Sequence, residues 1–281
     1  MSLAHPVEMI TLENQCVRLI ALANGGPRIT GLYYKGGENI LAETPELSWE
    51  GSAGTYHLVG GHRIWIAPED PQVCSIPDDT GLKWNKSGLQ LTLTGAMDPI
   101  TELQKIIEIR LHPNQPTIYL QHRIINHGYK PYELSLWAIT MLAPGGTAIL
   151  PFRSEIADQS RAPDRALVLW PYSSIQDKRL ELRDDQILIQ ALPLEDQFKI
   201  GQINQCGWVE YHLGNICFRK SFAAPAGQTY PDLGCNVEVY AVKKYIELET
   251  LSPLTCLYPG MTCVHEEIWQ LTDKSDNLNP A

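Results

Sequence analysis

Between Thr101 and His112 the chain repeats with a period of two: Leu103, Lys105, Ile107, Ile109 and Leu111 fall on one side of an extended backbone. That spacing suits a strand and is wrong for a helix. Similar segments recur at Val7–Leu12, Cys16–Leu22, Leu89–Thr94, Thr117–Asn126, Leu134–Leu142, Ala166–Trp170, Gln186–Leu192, Asn215–Phe222, Asn236–Glu249 and Thr262–Thr272. Turn chemistry separates them, as at Asn24-Gly-Gly-Pro27, Lys35-Gly-Gly37, His112-Pro-Asn114, Pro144-Gly-Gly146, Ala224-Pro-Ala-Gly227 and Pro259-Gly260. No stretch of about twelve residues combines helical periodicity with caps at both ends. The pattern predicts an all-β sandwich or barrel with under about a tenth of its residues in helix. No linker or repeat divides the 281 residues, apart from a polar tail at Asp273–Ala281. One domain over 1–281 is expected, with its core over about 8–272.

Composition narrows the function classes. A net charge of −10 lacks the basic footprint that phosphate binding needs, so no nucleic-acid partner is expected. No stretch approaches 18 uncharged apolar residues, so no membrane span is expected. The first residues lack the basic and apolar regions of a signal peptide, and the expected location is the cytoplasm. Seven scattered cysteines without a Cys-x-x-Cys pair fit reduced thiols better than disulfides or a zinc site.

The segment Tyr245-Ile-Glu-Leu-Glu-Thr-Leu-Ser-Pro-Leu-Thr-Cys-Leu-Tyr-Pro-Gly260 carries the clearest chemical signal. Alternation puts Ile246 and Leu248 on one face of a strand and Tyr245, Glu247 and Glu249 on the other. Two carboxylates on one face suit either a solvated surface or a cleft in which they take a proton or hold hydroxyls.

This segment resembles the C-terminal signature of the galactose-mutarotase-like (aldose 1-epimerase-like) superfamily. Gly60-Gly-His-Arg-Ile-Trp-Ile-Ala-Pro-Glu69 is similar to that family's Gly-Gly…Arg-x-Trp region, and Asn126–Pro144 is placed like its central segment. The likeness is strongest to an uncharacterised bacterial branch, through Leu169-Trp-Pro-Tyr172, Phe198-Lys-Ile-Gly201, Tyr230-Pro-Asp232 and Glu247-Leu-Glu-Thr-Leu251. It implies one large antiparallel β-supersandwich with a sugar on its concave face and a small-molecule carbohydrate as partner. No cofactor or metal is expected from the residues themselves, with calcium left open because oxygen ligands leave little sequence trace.

Within that resemblance Glu249 matches the general base, with Glu247 on the same face as its fallback. The family's two histidines are missing: Val59 stands at the first, and Trp137 at the central acid. A tryptophan stacks on a sugar or fills space, and cannot deliver a titrating proton. His62 is the substitute acid or base, or else a structural histidine. Arg63 offers a planar fork for sugar oxygens, with an ion pair to Glu69 or Asp70 as the alternative. Trp65 is a sugar platform or core. Lys199 and Asp232 are expected at the sugar, or in a salt bridge. His265, Glu267 and Trp269 share a strand face without a third zinc-ligand motif. Two functional readings stay open: an epimerase-like enzyme using Glu249 and His62, and a non-catalytic module that holds a sugar or uronate. No feature speaks to oligomeric state.

Overall fold

The structure, a computed structural model, describes residues 8–152 and 165–274. Most of the polar tail, residues 275–281, lies outside the described residues, as do residues 1–7. Two large antiparallel sheets account for most of the chain. The first runs, edge to edge, Met9–Glu13, Val17–Leu22, Ile29–Tyr34, His62–Ala67, Tyr132–Leu142, Ile246–Leu251, Val237–Ala241, Phe198–Gln202 and Leu167–Leu169. Thr255–Leu257 adds to the start of Tyr132–Leu142. The second runs Leu180–Leu182, Gln186–Gln190, Thr147–Pro151, Trp208–Leu213, Ile216–Phe222, Thr262–Asp273, Thr117–Asn126, Leu103–Leu111, Gln90–Met97 and Lys83–Ser87. A separate hairpin pairs Glu43–Gly51 with Gly54–Gly60. The described residues hold one short α-helix, Pro71–Cys74, capped by Asp70. The expected all-β sandwich is the observed one.

The predicted strand Asn236–Glu249 is a hairpin. Its arms, Val237–Ala241 and Ile246–Leu251, meet in register, and Lys243 and Lys244 stand exposed at the tip. Two adjacent charges cannot both leave a doubly covered strand except at a turn.

Apolar residues from the facing sides of both sheets form one core, among them Leu136, Leu248 and Val239 from the first sheet and Ile118, Phe218 and Trp269 from the second. Strand Ile246–Leu251 is buried at every position. Its even residues turn into this core and its odd residues turn to the opposite face, as the alternation requires.

A polar network crosses the core. Lys220, from the second sheet, places its ammonium 2.8 Å from Glu267 Oε1. It also donates to the carbonyls of Leu248 (3.0 Å) and Ala138 (3.3 Å) in the first sheet, which uses all three of its hydrogens. Glu267 Oε1 accepts from Thr250 Oγ1 as well, and Oε2 accepts from the Trp269 indole at 2.7 Å.

The adjoining histidines have forced tautomers. His122 Nδ1 lies 3.0 Å from the His265 carbonyl, which can only accept, so this nitrogen carries the hydrogen. His122 Nε2 then accepts from His62 Nε2 at 2.7 Å, and His62 Nδ1 accepts from Thr140 Oγ1 at 2.9 Å. Burial holds all three histidines neutral: His62 lies well below its ordinary pKa, His122 is lowered, and His265 is pushed down to about 3.

Two outcomes are expected. Lys220→Met strands a buried carboxylate and costs about 3–5 kcal/mol, read by denaturant unfolding; Lys220→Met with Glu267→Gln recovers part of the loss. Stability also depends on acid. The unfolded chain protonates its histidines near pH 6.5 while the folded chain does not, so stability is full above that pH and falls below it. Each of His62, His122 and His265 adds up to about 1.4 kcal/mol per pH unit to the slope. Unfolding series between pH 7.5 and 5.5 measure it; a flat profile contradicts the neutral-histidine network.

Candidate functional site: an aromatic and carboxylate cleft

The first sheet's outer face carries the second cluster of side chains. Backbone register aligns Arg63, Ile139, Glu249 and Glu238 in one row across four strands, and Trp65 pairs with Trp137 in the next. Glu247, Tyr240 and Lys199 form a third row. Three rows on one face bring together residues far apart in sequence.

The entry to this face is a backbone bend. Val59, Gly60 and Gly61 all have positive φ, at 64°, 100° and 69°. A Cβ on Gly60 or Gly61 would stand 2.3 Å from the Ala42 carbonyl oxygen or 2.0 Å from that of Ile29. The Gly-Gly pair is therefore needed to pass the chain from the hairpin into His62–Ala67. Val59 adopts the same region despite its branched Cβ, an unfavourable conformation for that residue type.

A cavity of about 360 Å³ opens on this face. Its aromatic wall is made by Trp49, Trp65, Trp137, Tyr172, Tyr240 and Tyr245. Its polar wall is made by Arg63, Glu69, Gln197, Lys199 and Glu247. Arg63 lines it with its guanidinium 4.5 Å from the Trp65 ring centre, and Nη2 donates to Glu247 Oε1 at 3.0 Å. The expected partner at Glu69 or Asp70 is replaced by Glu247. Among the described residues, Arg63 Nε and Nη1 are buried without a hydrogen-bond partner.

Lys199 organises the floor. Its ammonium lies 3.1 Å from Glu249 Oε2 and 2.7 Å from Glu238 Oε2, between the rings of Trp137 (4.4 Å) and Trp170 (4.6 Å). Burial alone would lower its pKa, but the Glu249 and Glu238 carboxylates outweigh that and hold it above the ordinary lysine value. Burial pushes Glu238 well above the ordinary glutamate range; Lys199 opposes this and Glu249 adds to it. Glu247 is also raised by burial, against the pull of Arg63. Gly201 sits opposite Glu238, and a side chain there would meet Cys235 Sγ at 2.5 Å. The glycine of Phe-Lys-Ile-Gly thus leaves room beside Glu238.

Glu249 is fully buried beneath Trp137 and Lys199, and the Trp137 indole N–H donates to its Oε2 at 2.7 Å. Its other oxygen, Oε1, has no hydrogen-bond partner among the described residues. Trp137 and Trp65 meet edge to face at 5.7 Å. Asp232 sits in a left-handed turn, φ 48°, partly exposed and outside the cavity wall; its charge bears on Glu238. His62 faces the other way, into the core network described above. One face therefore gathers Glu249, Glu247, Arg63, Trp65, Trp137 and Lys199, with Asp232 beside it and His62 behind it.

Glu238 and Tyr240 were not among the sequence candidates, and Trp170 and Tyr172 appeared there only as part of the Leu169–Tyr172 signature, without a role. Glu238 carries the same mark as Glu249, a carboxylate alternating with apolar residues in Val-Glu-Val-Tyr-Ala.

No family model matches the sequence, and no curated protein matches it. Solved structures do match in fold. A galactose mutarotase-like protein from Lactobacillus casei superposes with TM-score 0.59 at 10% identity, over 94% of this chain and 100% of that one. A candidate aldose 1-epimerase from Escherichia coli K12 gives TM-score 0.55 at 12% identity, over 95% of this chain and 100% of that one. A TPR-domain containing protein from Parabacteroides distasonis gives 0.64 at 15% identity over 98% of this chain. This chain spans 48% of that protein's length. The fold is the galactose mutarotase-like β-sandwich.

Lys199→Met leaves Glu238 and Glu249 buried with no ammonium between them and is expected to cost about 3–5 kcal/mol near pH 7.5. Protonation relieves the repulsion, so the difference from the parent shrinks at pH 5. Paired denaturation curves at the two pH values read this; a difference that grows with acid would contradict the ion triad.

Proposed function

We propose that the cavity is a carbohydrate-binding site whose floor holds a sugar without rapid mutarotation. The observation that carries this reading is the indole N–H of Trp137 donating to Glu249 Oε2. Mutarotation needs a base for the anomeric hydroxyl proton and an acid for the ring oxygen. The family likeness puts the acid where Trp137 stands, and an indole N–H does not titrate. Lys199 is held protonated by two carboxylates and is a poor proton donor. Glu249, fully buried beneath the cavity wall, then serves to anchor Trp137 and Lys199 under the sugar.

The remaining walls suit a monosaccharide. Arg63 lines the cavity with two nitrogens, Nε and Nη1, whose N–H groups have no partner among the described residues and suit hydroxyl or ring oxygens. Aromatic faces pack against the apolar side of a pyranose, and the volume lies at the small end of ligand sites. The cavity's two cations, Arg63 and Lys199, are already engaged by Glu247, Glu238 and Glu249, and Glu69 adds a further acid to the lining. That balance favours a neutral sugar over a uronate.

A second reading rests on Glu247. It lines the cavity, burial raises its pKa, and it lies two residues from Glu249 on one strand face. A protonated Glu247 would supply the missing acid of an epimerase-like isomerase.

Saturation-transfer NMR with galactose, glucose and glucuronate tests binding. Contact to the neutral sugars is expected, weaker contact to glucuronate, and at least tenfold weaker binding in Arg63→Met. Polarimetry separates the readings. Mutarotation close to the buffer rate supports the binding module. A typical mutarotase rate abolished by Glu247→Gln and by Glu249→Gln would establish the isomerase in its place.

A further inference from the structure

Among the described residues, two groups of side chains outside the cleft bring metal-ligating atoms together, and they differ in what already occupies them. His62, His122 and Glu267 lie within 4.8 Å of one another in the core. Every nitrogen of the two rings is engaged in the tautomer chain, and Lys220 sits on the carboxylate. That group is a closed hydrogen-bond network: the accepting lone pairs of both rings are engaged and an ammonium already neutralises the carboxylate.

The other group lies on the outer face of the second sheet, on the far side of the sandwich from the cleft. In Trp208–Leu213 the core residues are Val209 and Tyr211, so Glu210 and His212 point outward together. Register pairs His212 directly with Cys217 and Glu210 with Arg219 on the adjacent strand. The ligating atoms of Glu210, His212 and Cys217 all lie within 4.8 Å of one another. His212 is 26% exposed, so an ion reaches the group from solvent.

The two oxygens of Glu210 have separate duties. Oε1 accepts from Arg219 Nε at 2.6 Å, and Arg219 Nη2 lies 2.5 Å from it. Oε2 faces His212 Nε2 at 2.8 Å. Arg219 therefore fixes the carboxylate from behind, the usual place of an outer-shell partner, and leaves Oε2 beside the imidazole and the thiol.

We propose that Cys217 Sγ, His212 Nε2 and Glu210 Oε2 bind one zinc-class divalent ion, with a fourth position open to water. Sulfur, imidazole nitrogen and a single carboxylate oxygen suit zinc or cobalt; calcium and magnesium require mostly oxygen ligands. The ion takes the place of the hydrogen between His212 and Glu210, and the thiol proton passes to solvent. The site clamps the hairpin of Trp208–Leu213 and Ile216–Phe222 and is independent of any sugar bound on the other sheet.

Zinc is titrated into the full chain against a chromophoric chelator. One equivalent is expected to be taken up. Cys217→Ser and His212→Gln are each expected to weaken uptake by about 10–100-fold, while Cys256→Ser, an exposed thiol on another strand, leaves it unchanged. Cobalt in place of zinc is expected to give a thiolate charge-transfer band that Cys217→Ser removes. A readout on the unaltered chain guards against misfolded variants: zinc is expected to slow alkylation of Cys217 and of no other cysteine, as mapped by mass spectrometry. No uptake, uptake undiminished in both variants, or protection of a different cysteine overturns the proposal.

Discussion

A buried ammonium on each face of one central strand ties this architecture together. Strand Ile246–Leu251 has no exposed residue. On its cleft side Lys199 binds the carboxylate of Glu249, and on its core side Lys220 donates to the carbonyl of Leu248. Neither lysine belongs to the strand: Lys199 comes from two strands away in the same sheet, and Lys220 from the opposite sheet. Desolvating such charges is costly, so each is matched by carboxylates and, for Lys220, by backbone acceptors. The sandwich cannot slide by one residue without separating both sets at once.

The same parity explains what the cleft contains. Period-two geometry sends Glu247, Glu249 and Leu251 outward while Ile246, Leu248 and Thr250 go inward. Strand His62–Ala67, two places along the same sheet, obeys it too, with Arg63 and Trp65 outward and His62 and Ile64 inward. The cleft thus acquires a guanidinium, an ammonium, the carboxyl groups of Glu69 and Glu247 and a wall of aromatic rings, while His62, His122 and His265 lie in the interior, where burial keeps them neutral.

Strand content and the all-β class were legible because alternation survives in segments such as Thr101–His112. The carboxylates of Glu247 and Glu249 stood out for the same reason, as charges inside an apolar rhythm. His62 and Arg63 had been grouped as site residues, although adjacent residues on one strand face opposite sides; parity alone separates them, once the bend at Gly60-Gly61 is seen to end before His62. The contact of Trp137 with Glu249 spans 112 positions and comes from strand order, which no local pattern encodes. Glu238 is hidden in the sequence because its strand runs into the next without Gly or Pro, and only the turn at Lys243-Lys244 divides them.

The indoles around the cleft give the molecule an optical property of its own. Trp49, Trp65 and Trp137 border the cavity, and Trp137 also lies under the charge of Lys199. An indole's emission responds to the polarity and electric field at its ring, and anything entering the cavity changes both by displacing water. Intrinsic fluorescence is thereby coupled to occupancy, and the chain reports on its own cleft without a label.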